Sequence, residues 1–455
     1  MTSVDLIIIG AGPGGYETAV RAAKAGLRTV IIEKQEVGGT CLNVGCIPTK
    51  CFCRNAEILR DLSKSEEFGL SGLSFSFNFS KVIERKNQVV STLVNGVKTL
   101  LKNPLISLIH GEAKFISAHE IHVQNTSEEQ QEKDFSAENI IIATGSTTKF
   151  LSIQGNKLPK VLTSTEMLDL TEIPKRLCII GGGVIGLEFA SVFNTFGSDV
   201  TVLEFCKEIL PNFDSDIAKR LKQSLKAQGI HIINQAAVNK IEDSGSSYTV
   251  GFDFKGVQQT AEADIVLMAV GRAANTDALN LADVGINFDR RGIQTDENLQ
   301  TNIAGIYAIG DVNGKCQLAH AASFQGRRAL NHILNKTDEI RLDIIPAAVF
   351  TNPEVASVGY TSDYCKEKAI EIKTHKSFFR ANGKSLSMGE TDGIVKILTD
   401  EDDHIVGCHI IGPHASDIIQ EITALINKNA RLQDLNQIIH AHPTLSEIIL
   451  SASEE

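Results

Sequence analysis

The chain contains one structural unit twice. Residues 4–34 read as strand, glycine-rich turn, helix, strand, and residues 177–205 read the same way. Gly10, Gly12 and Gly15 recur as Gly181, Gly183 and Gly186, Gly26 recurs as Gly197, and Glu33 as Glu204, every pair offset by 171 residues. One G-x-G-x-x-G is a weak signal, because glycine-rich turns are common. Two of them, each between an apolar strand and a helix and each followed by an acid about 20 residues on, specify two dinucleotide-binding βαβ units. The first glycine permits the tight turn, the second lets a pyrophosphate approach the backbone, and the third lets helix pack on strand. The helix N-terminus then offers unpaired N–H groups to phosphate. Glu33 and Glu204 end their second strands, where a carboxylate can accept from ribose hydroxyls.

Other segments fit the same α/β class. Asn139–Ala143, leading into Thr144-Gly145-Ser146, and Ile265–Val270, leading into Gly271-Arg272, are apolar runs suited to strands buried on both faces. Ile306–Gly310 carries Asp311 just past a strand's C-terminal edge, where open α/β sheets bind ligands. Thr126–Asp134 reads as an exposed hairpin tip. Beyond residue 340 the pattern changes. Ala348–Phe350, Ile394–Ile397 and Ile405–Ile411 suggest antiparallel strands and Ile418–Asn427 a helix, a separate α+β lobe. At 455 residues the chain exceeds one ordinary core, and three or four lobes are expected.

Cys41 and Cys46 follow the first βαβ unit, in Gly38–Lys50. Two thiols at this spacing beside a dinucleotide site suggest a redox pair; a metal half-site or inert buried thiols are the competing readings. Pro48 suggests a helix starting near it, with Cys46 just before the N-terminus, a position that favours thiolate. Lys50 would add positive charge. Cys51 and Cys53 read as small packing residues. The nine cysteines are an odd, scattered set, which suggests a reducing, cytoplasmic compartment. A net charge of −11 argues against nucleic acid or an anionic membrane as partner. No apolar run is long enough to span a bilayer, and Leu6–Ile9 lacks the basic flank of a signal peptide. No metal site is expected: acidic Asp400–Asp403 lacks calcium-loop spacing and reads as a solvated turn.

These motifs, with Ala308–Asp311 and His440–Glu447, resemble the dihydrolipoamide dehydrogenase branch of the flavin-dependent pyridine nucleotide–disulfide oxidoreductases, along nearly the whole chain. The resemblance implies two Rossmann-like domains plus a C-terminal α+β dimerisation domain. It places FAD binding in residues 1–148, NAD binding in 149–272, a returning FAD segment in 273–342 and the interface in 343–455. It implies oxidation of dihydrolipoamide on lipoyl proteins of 2-oxoacid dehydrogenase-type complexes, with NAD⁺ as final acceptor. It also implies a homodimer whose active sites draw on both subunits. Cys41 becomes the thiol that exchanges with substrate, Cys46 the thiol against the flavin, and Lys50 the cation paired with Glu188. The FAD contacts implied are Gly10, Gly12, Gly15, Glu33, Gly39, Thr40, Lys50, Ala113, Thr144, Gly145, Ser146, Asp311, Leu318, Ala319 and His320. Gly181, Gly183, Gly186, Glu204, Val238 and Gly271 are the NAD contacts. Ser323 and Gln325 depart from the family, which carries acids there, and Thr49 replaces the commoner serine.

From the residues alone His442 is either structural or a general base. The resemblance makes it the base that takes a proton from dihydrolipoamide, with Glu447 holding the ring; His440 reads as structural. Glu204 would repel a 2′-phosphate, favouring NAD over NADP. A glutathione reductase-like enzyme and a non-catalytic FAD/NAD-binding redox sensor are the alternatives. The first is disfavoured by Glu204, the second by the presence of Cys41, Cys46 and His442 together.

Overall fold

The structure, a computed structural model, describes residues 1–124 and 133–454. The chain divides into two compact units. The first comprises Met1–Cys51, Lys81–Lys149 and Gly271–Leu342, and the second Phe52–Ser80, Phe150–Val270 and Asp343–Glu455.

In the first unit a five-stranded parallel sheet runs in the order Ile306–Ala308, Asn139–Ile142, Leu6–Ile9, Thr29–Glu33, Ile106–His110. All four residues of Leu6–Ile9 are buried. Leu6 and Ile8 pack with the helix residues Ala19, Ala22 and Ala329, whereas Ile7 and Ile9 pack with Phe115, Ile121 and Val123 of a smaller sheet. Alternation therefore exists, but both faces are covered, so the sequence shows only a continuous apolar run. The helices Pro13–Lys24 and Ala319–Ile333 approach closely, because a Cβ on Gly14 would lie 3.2 Å from Ala322 and one on Gly326 would strike Thr18. The smaller sheet contains the antiparallel pair Glu120–Gln124 and Lys133–Ser136. Of the expected hairpin tip only Lys133 and Asp134 are described, and they open the second of these strands.

The second unit repeats the arrangement. Its parallel sheet is ordered Val161–Leu162, Ile265–Met268, Arg176–Ile180, Asp199–Glu204, His231–Asn234. The antiparallel strands Ala236–Asp243, Tyr248–Phe254 and Val257–Ala263 form a further sheet that the sequence did not reveal. Residues beyond 343 form an antiparallel sheet, Ala347–Val349, Glu354–Gly359, Ile405–Gly412, Ile394–Thr399, Lys373–Phe378, with the helix Ala415–Asn427 against it. A buried ion pair ties this sheet to the nucleotide-type fold of the same unit. Lys396 Nζ lies 2.8 Å from Asp214, the N-cap of helix Ser215–Ala227, and 3.0 Å from Asp216. Among the described residues no helix is long and apolar enough to cross a membrane.

Candidate active site

The 171-residue repeat extends to individual hydrogen bonds. The Ala11 N–H donates to Glu33 Oε2 at 2.7 Å and the Gln35 N–H to Oε1 at 2.8 Å. In the second copy the Gly182 N–H donates to Glu204 Oε2 at 2.5 Å and the Cys206 N–H to Oε1 at 2.6 Å. Each acid thus braces its own glycine turn from the end of the neighbouring strand. Each oxygen keeps a second acceptor site for a ribose hydroxyl.

The glycines divide into two kinds. Gly10 and Gly181 have φ of +104° and +114°, and a Cβ on Gly15 or Gly186 would lie 1.9 or 2.1 Å from the carbonyl oxygen of Gly10 or Gly181. Folding alone requires those. A Cβ on Gly12 or Gly183 would meet nothing within 4 Å, so no contact within the chain explains the missing side chain. The helices Pro13–Lys24, Val184–Thr195 and Ala319–Ile333 all begin without a side-chain cap. Asp214, Thr361 and Asn382 cap other helices of the chain. Open glycines and uncapped N-termini at both turns fit a pyrophosphate at each. Gly39 crosses the first turn, since its Cβ would lie 2.7 Å from the Gly12 Cα, and the Gly38 N–H donates to Ala11 O at 2.8 Å. This brings Gly39 and Thr40 to the first turn.

Cys41 lies in the single-turn helix Gly39–Asn43, and Cys46 is the first residue of the helix Cys46–Ser63. The expectation that Cys46 precedes a helix starting near Pro48 is therefore corrected. The Thr49 N–H and hydroxyl both donate to Gly45 O, at 3.1 and 2.7 Å, so Gly45 opens the helix and Pro48 sits within its first turn. Proline costs nothing there, because those N–H groups have no intrahelical partner. The two thiols are hydrogen-bonded to each other. That bond, burial and the negative charge of Cys46 push the Cys41 thiol up, and Lys50 opposes them. Cys46 is the more exposed of the two.

A second cation near the pair was not foreseen. Arg272 Nε donates to Ser146 Oγ at 2.7 Å and Nη2 donates to Ser146 O at 2.6 Å, and the Ser146 hydroxyl donates to Asp311 Oδ2 at 2.5 Å. Burial lowers the Arg272 guanidinium and the charges of Asp311 and Cys46 oppose that. Burial raises the Asp311 carboxyl, against the Ser146 hydrogen bond and Arg272. The pairing of strands Ser146–Thr148 and Arg272–Ala274 builds this cluster. Its sequence signal was the cation directly after Gly271.

Thr144 is held to Asn275 O by its hydroxyl at 2.7 Å, and Gly145 takes φ +70°. Ala113 is buried in the strand Glu112–Ser117. Leu318 is the N-cap of the helix that Ala319 and His320 begin. The two departures have defined work. Gln325, 2% exposed, accepts from the Gly310 N–H at 2.7 Å and from Asn313 at 2.9 Å, fixing the turn that bears Asp311. Ser323 donates to Glu17 at 3.0 Å.

Cys41, Cys46 and the expected FAD contacts, Lys50 and Asp311 among them, fall in the first unit, and so does Gly271, expected as an NAD contact. Gly181, Gly183, Gly186, Glu188, Glu204, Val238, His442 and Glu447 fall in the second. Val238 stands in the strand Ala236–Asp243. Glu188 is buried and accepts from the Phe350 N–H at 3.0 Å. His442 Nδ1 lies 2.8 Å from Glu447 Oε1, and the imidazole is 80% exposed. The Thr444 N–H donates to Glu447 Oε2, and this bond, then His442, lowers the Glu447 carboxyl. A carboxylate only accepts, so the Nδ1 that faces Glu447 is the nitrogen that donates.

The family model for pyridine nucleotide-disulphide oxidoreductases matches residues 4–326, and that for their dimerisation domain matches 345–453. The chain belongs to the pyridine nucleotide-disulphide oxidoreductases. It is 41% identical to the dihydrolipoyl dehydrogenase of Chlamydia trachomatis serovar D over 448 residues, 98% of this chain and 95% of the relative. It is 41% identical to that of Bacillus subtilis (strain 168) over 454 residues, 99% and 96% of the two chains. Among solved structures it resembles the HOCl-induced flavoprotein disulfide reductase RclA from Escherichia coli in its Cu(II) complex. There the TM-score is 0.88 and the identity 31%, over 100% of this chain and 99% of the other. Members of this family are oxidoreductases that work with FAD and a pyridine nucleotide, and the two braced glycine turns suit one of each. The C-terminal sheet is the family's dimerisation domain.

Proposed function

We propose that this enzyme oxidises dihydrolipoamide carried on lipoyl proteins and passes the electrons to NAD⁺. The observation that carries the proposal is the Cys41–Cys46 pair, hydrogen-bonded at a helix start within the field of Lys50 and Arg272. The full-length similarity to dihydrolipoyl dehydrogenases supports the substrate.

In the oxidised resting form Cys41 and Cys46 are joined. One thiol of dihydrolipoamide loses its proton to His442 Nε2, and Glu447 stabilises the imidazolium. The thiolate attacks the Cys41 sulfur, forming a mixed disulfide and releasing Cys46 as thiolate. The helix start and the nearby cations hold that charge. The second substrate thiol then gives up its proton, attacks its own mixed-disulfide sulfur and frees Cys41, which takes up that proton. Lipoamide leaves with its ring disulfide closed, and two electrons remain on the cysteine pair. FAD, when bound, would supply the two-electron chemistry that links the cysteine pair to NAD⁺. Gly12, Gly39, Thr40, Glu33 and Asp311 would hold FAD, and Gly183, Glu204, Val238 and Gly271 would hold NAD. The family resemblance, with the matched dimerisation domain, assigns His442 to the partner subunit's active site in a homodimer. A reducing, cytoplasmic location suits nine cysteines that are all free thiols.

The test compares dihydrolipoamide with glutathione and NAD⁺ with NADP⁺ under steady state, together with His442→Gln. The proposal expects lipoamide and NAD⁺ to dominate and the variant to lose at least about a hundredfold in kcat. Equal or faster turnover with glutathione and NADP⁺, or a fully active variant, overturns it.

A further inference from the structure

The helix Pro13–Lys24 carries a tyrosine in its first turns that neither the fold nor the proposed chemistry uses. The Tyr16 N–H donates to Gly12 O at 2.9 Å, so Tyr16 and Gly12 share one face of the helix. The redox loop crosses that face. A Cβ on Gly39 would lie 2.7 Å from the Gly12 Cα, and Cys41 follows two residues later in the helix Gly39–Asn43. A helical side chain leans back over the turn before it, so the Tyr16 ring is carried toward this crossing. The ring is half-buried, and Leu42, the residue after Cys41, packs against the same apolar cluster as Tyr16.

The hydroxyl at the end of this ring is unclaimed. The two buried tyrosines use theirs within the protein. Tyr248 accepts from the Lys160 N–H at 3.4 Å, and Tyr307 accepts from Gln300 at 3.0 Å and lies 2.9 Å from His332 Nδ1. Among the described residues none hydrogen-bonds the Tyr16 hydroxyl. Burial pushes the phenol up, and Glu17 and then the Cys41 sulfur push it further. The hydroxyl therefore keeps its proton at neutral pH and can donate. Glu17 itself is occupied, accepting from Arg21 at 3.2 Å and Ser323 at 3.0 Å.

The proposed reaction needs a donor at this place. Its second exchange expels Cys41 as a thiolate. The bond to Cys46, burial and the negative charge of Cys46 all oppose charge on that sulfur, with Lys50 and the Cys46 N–H on the other side. We propose that Tyr16 donates its hydroxyl to the Cys41 sulfur as the second thiol of dihydrolipoamide expels it. The bond between Cys41 and the substrate sulfur breaks, the ring disulfide of lipoamide forms, and the phenol keeps its own proton. Cys41 then takes up the proton that the second substrate thiol released. The proposal rests on the reading of Cys41 as the thiol that exchanges with substrate.

Tyr16→Phe keeps the ring and removes only the hydroxyl, so flavin content and the unfolding midpoint should match the wild type. A hydrogen bond to a charged group sets the expected loss in kcat for dihydrolipoamide at about tenfold or more. KM should stay within about twofold, because the bond strengthens only as the sulfur gains charge. A second measurement needs no flavin. In Cys46→Ser protein, where Cys41 is the remaining thiol of the pair, adding Tyr16→Phe should move the pH midpoint of Cys41 alkylation by iodoacetamide up by about one unit. The charged groups facing the phenol and the sulfur, Glu17 on the same helix and Lys50, are the same in both proteins. Wild-type kcat in Tyr16→Phe or an unmoved midpoint overturns the role of the hydroxyl. So does a loss seen in Tyr16→Leu and absent from Tyr16→Phe, which would assign the effect to ring packing. If Tyr16→Phe fails to hold flavin, the alkylation midpoint decides. Turnover of dihydrolipoamide that survives Cys41→Ser refutes instead the reading of the cysteine pair.

Discussion

Replacing Glu204 with alanine separates two jobs that one carboxylate performs. Its oxygens accept from the Gly182 and Cys206 N–H groups at 2.5 and 2.6 Å, and the residue is 7% exposed. A hydrogen bond to a charged group contributes about 1.5–3 kcal/mol net. The Cys206 N–H lies in a half-buried residue and regains water readily, so the main loss is the Gly182 bond, about 2 kcal/mol. A lost ribose hydroxyl contact adds about 1 kcal/mol. Together these predict a rise of about 100-fold in the KM for NADH. NADPH suffers the same slackened turn but is freed from repulsion between Glu204 and its 2′-phosphate. The preference for NADH should therefore narrow by at least about tenfold. The assay is steady-state kcat/KM for both nucleotides with lipoamide saturating. An unchanged preference would refute the assignment of Glu204 to the ribose, and an unchanged KM for NADH would refute its bracing of the turn.

Gly12→Ala should fold normally but lose bound FAD, read as a fall in the absorbance ratio of flavin to protein. Gly15→Ala, whose Cβ would lie 1.9 Å from Gly10 O, should instead destabilise the first unit by about 2–4 kcal/mol in denaturant titration. Lys396→Met leaves Asp214 buried and unpaired and should cost about 3–5 kcal/mol; the double variant Asp214→Leu/Lys396→Met should recover much of that. Burial would raise the Asp214 carboxyl, but His409, Lys396 and the Ser362 N–H outweigh it and hold it at about 2. Its folded pKa is thus below the unfolded value of about 3.9. The stabilisation is complete above pH 4, is lost as pH falls from about 4 to about 2, and amounts to about 2–3 kcal/mol in acid-unfolding curves. Arg272→Gln should shift the pH at which Cys46 is alkylated in the reduced enzyme upward, measured by mass spectrometry of the labelled peptide, and Arg272→Lys should restore part of it.

The parts legible in the sequence were those that backbone geometry dictates locally. Gly10, Gly15, Gly181 and Gly186 are required by turns a few residues long, and the apolar runs Leu6–Ile9 and Leu177–Ile180 mark strands covered on both faces. The Cys41–Cys46 spacing was likewise readable, but the helix start was misplaced because Pro48 drew the boundary that Gly45 sets. What stayed hidden depends on residues distant in sequence. Ser146 meets Arg272 and Asp311 across 126 and 165 residues, and Lys396 meets Asp214 across 182. A lysine or aspartate in a sequence reads as a surface residue, and nothing local marks this pair as buried. The contacts of His440 with Ile438 O and Glu421 likewise become visible only when the helix Ala415–Asn427 is folded beside it.

The most direct test of the electron path is an anaerobic titration of the purified, flavin-loaded enzyme with dihydrolipoamide in the absence of NAD⁺. One equivalent should produce a long-wavelength absorbance band from the Cys46 thiolate against oxidised flavin, and Cys46→Ser should lack it. Dihydrolipoamide that leaves the spectrum unchanged, or a Cys46→Ser protein that titrates like the wild type, would contradict a route through this cysteine pair.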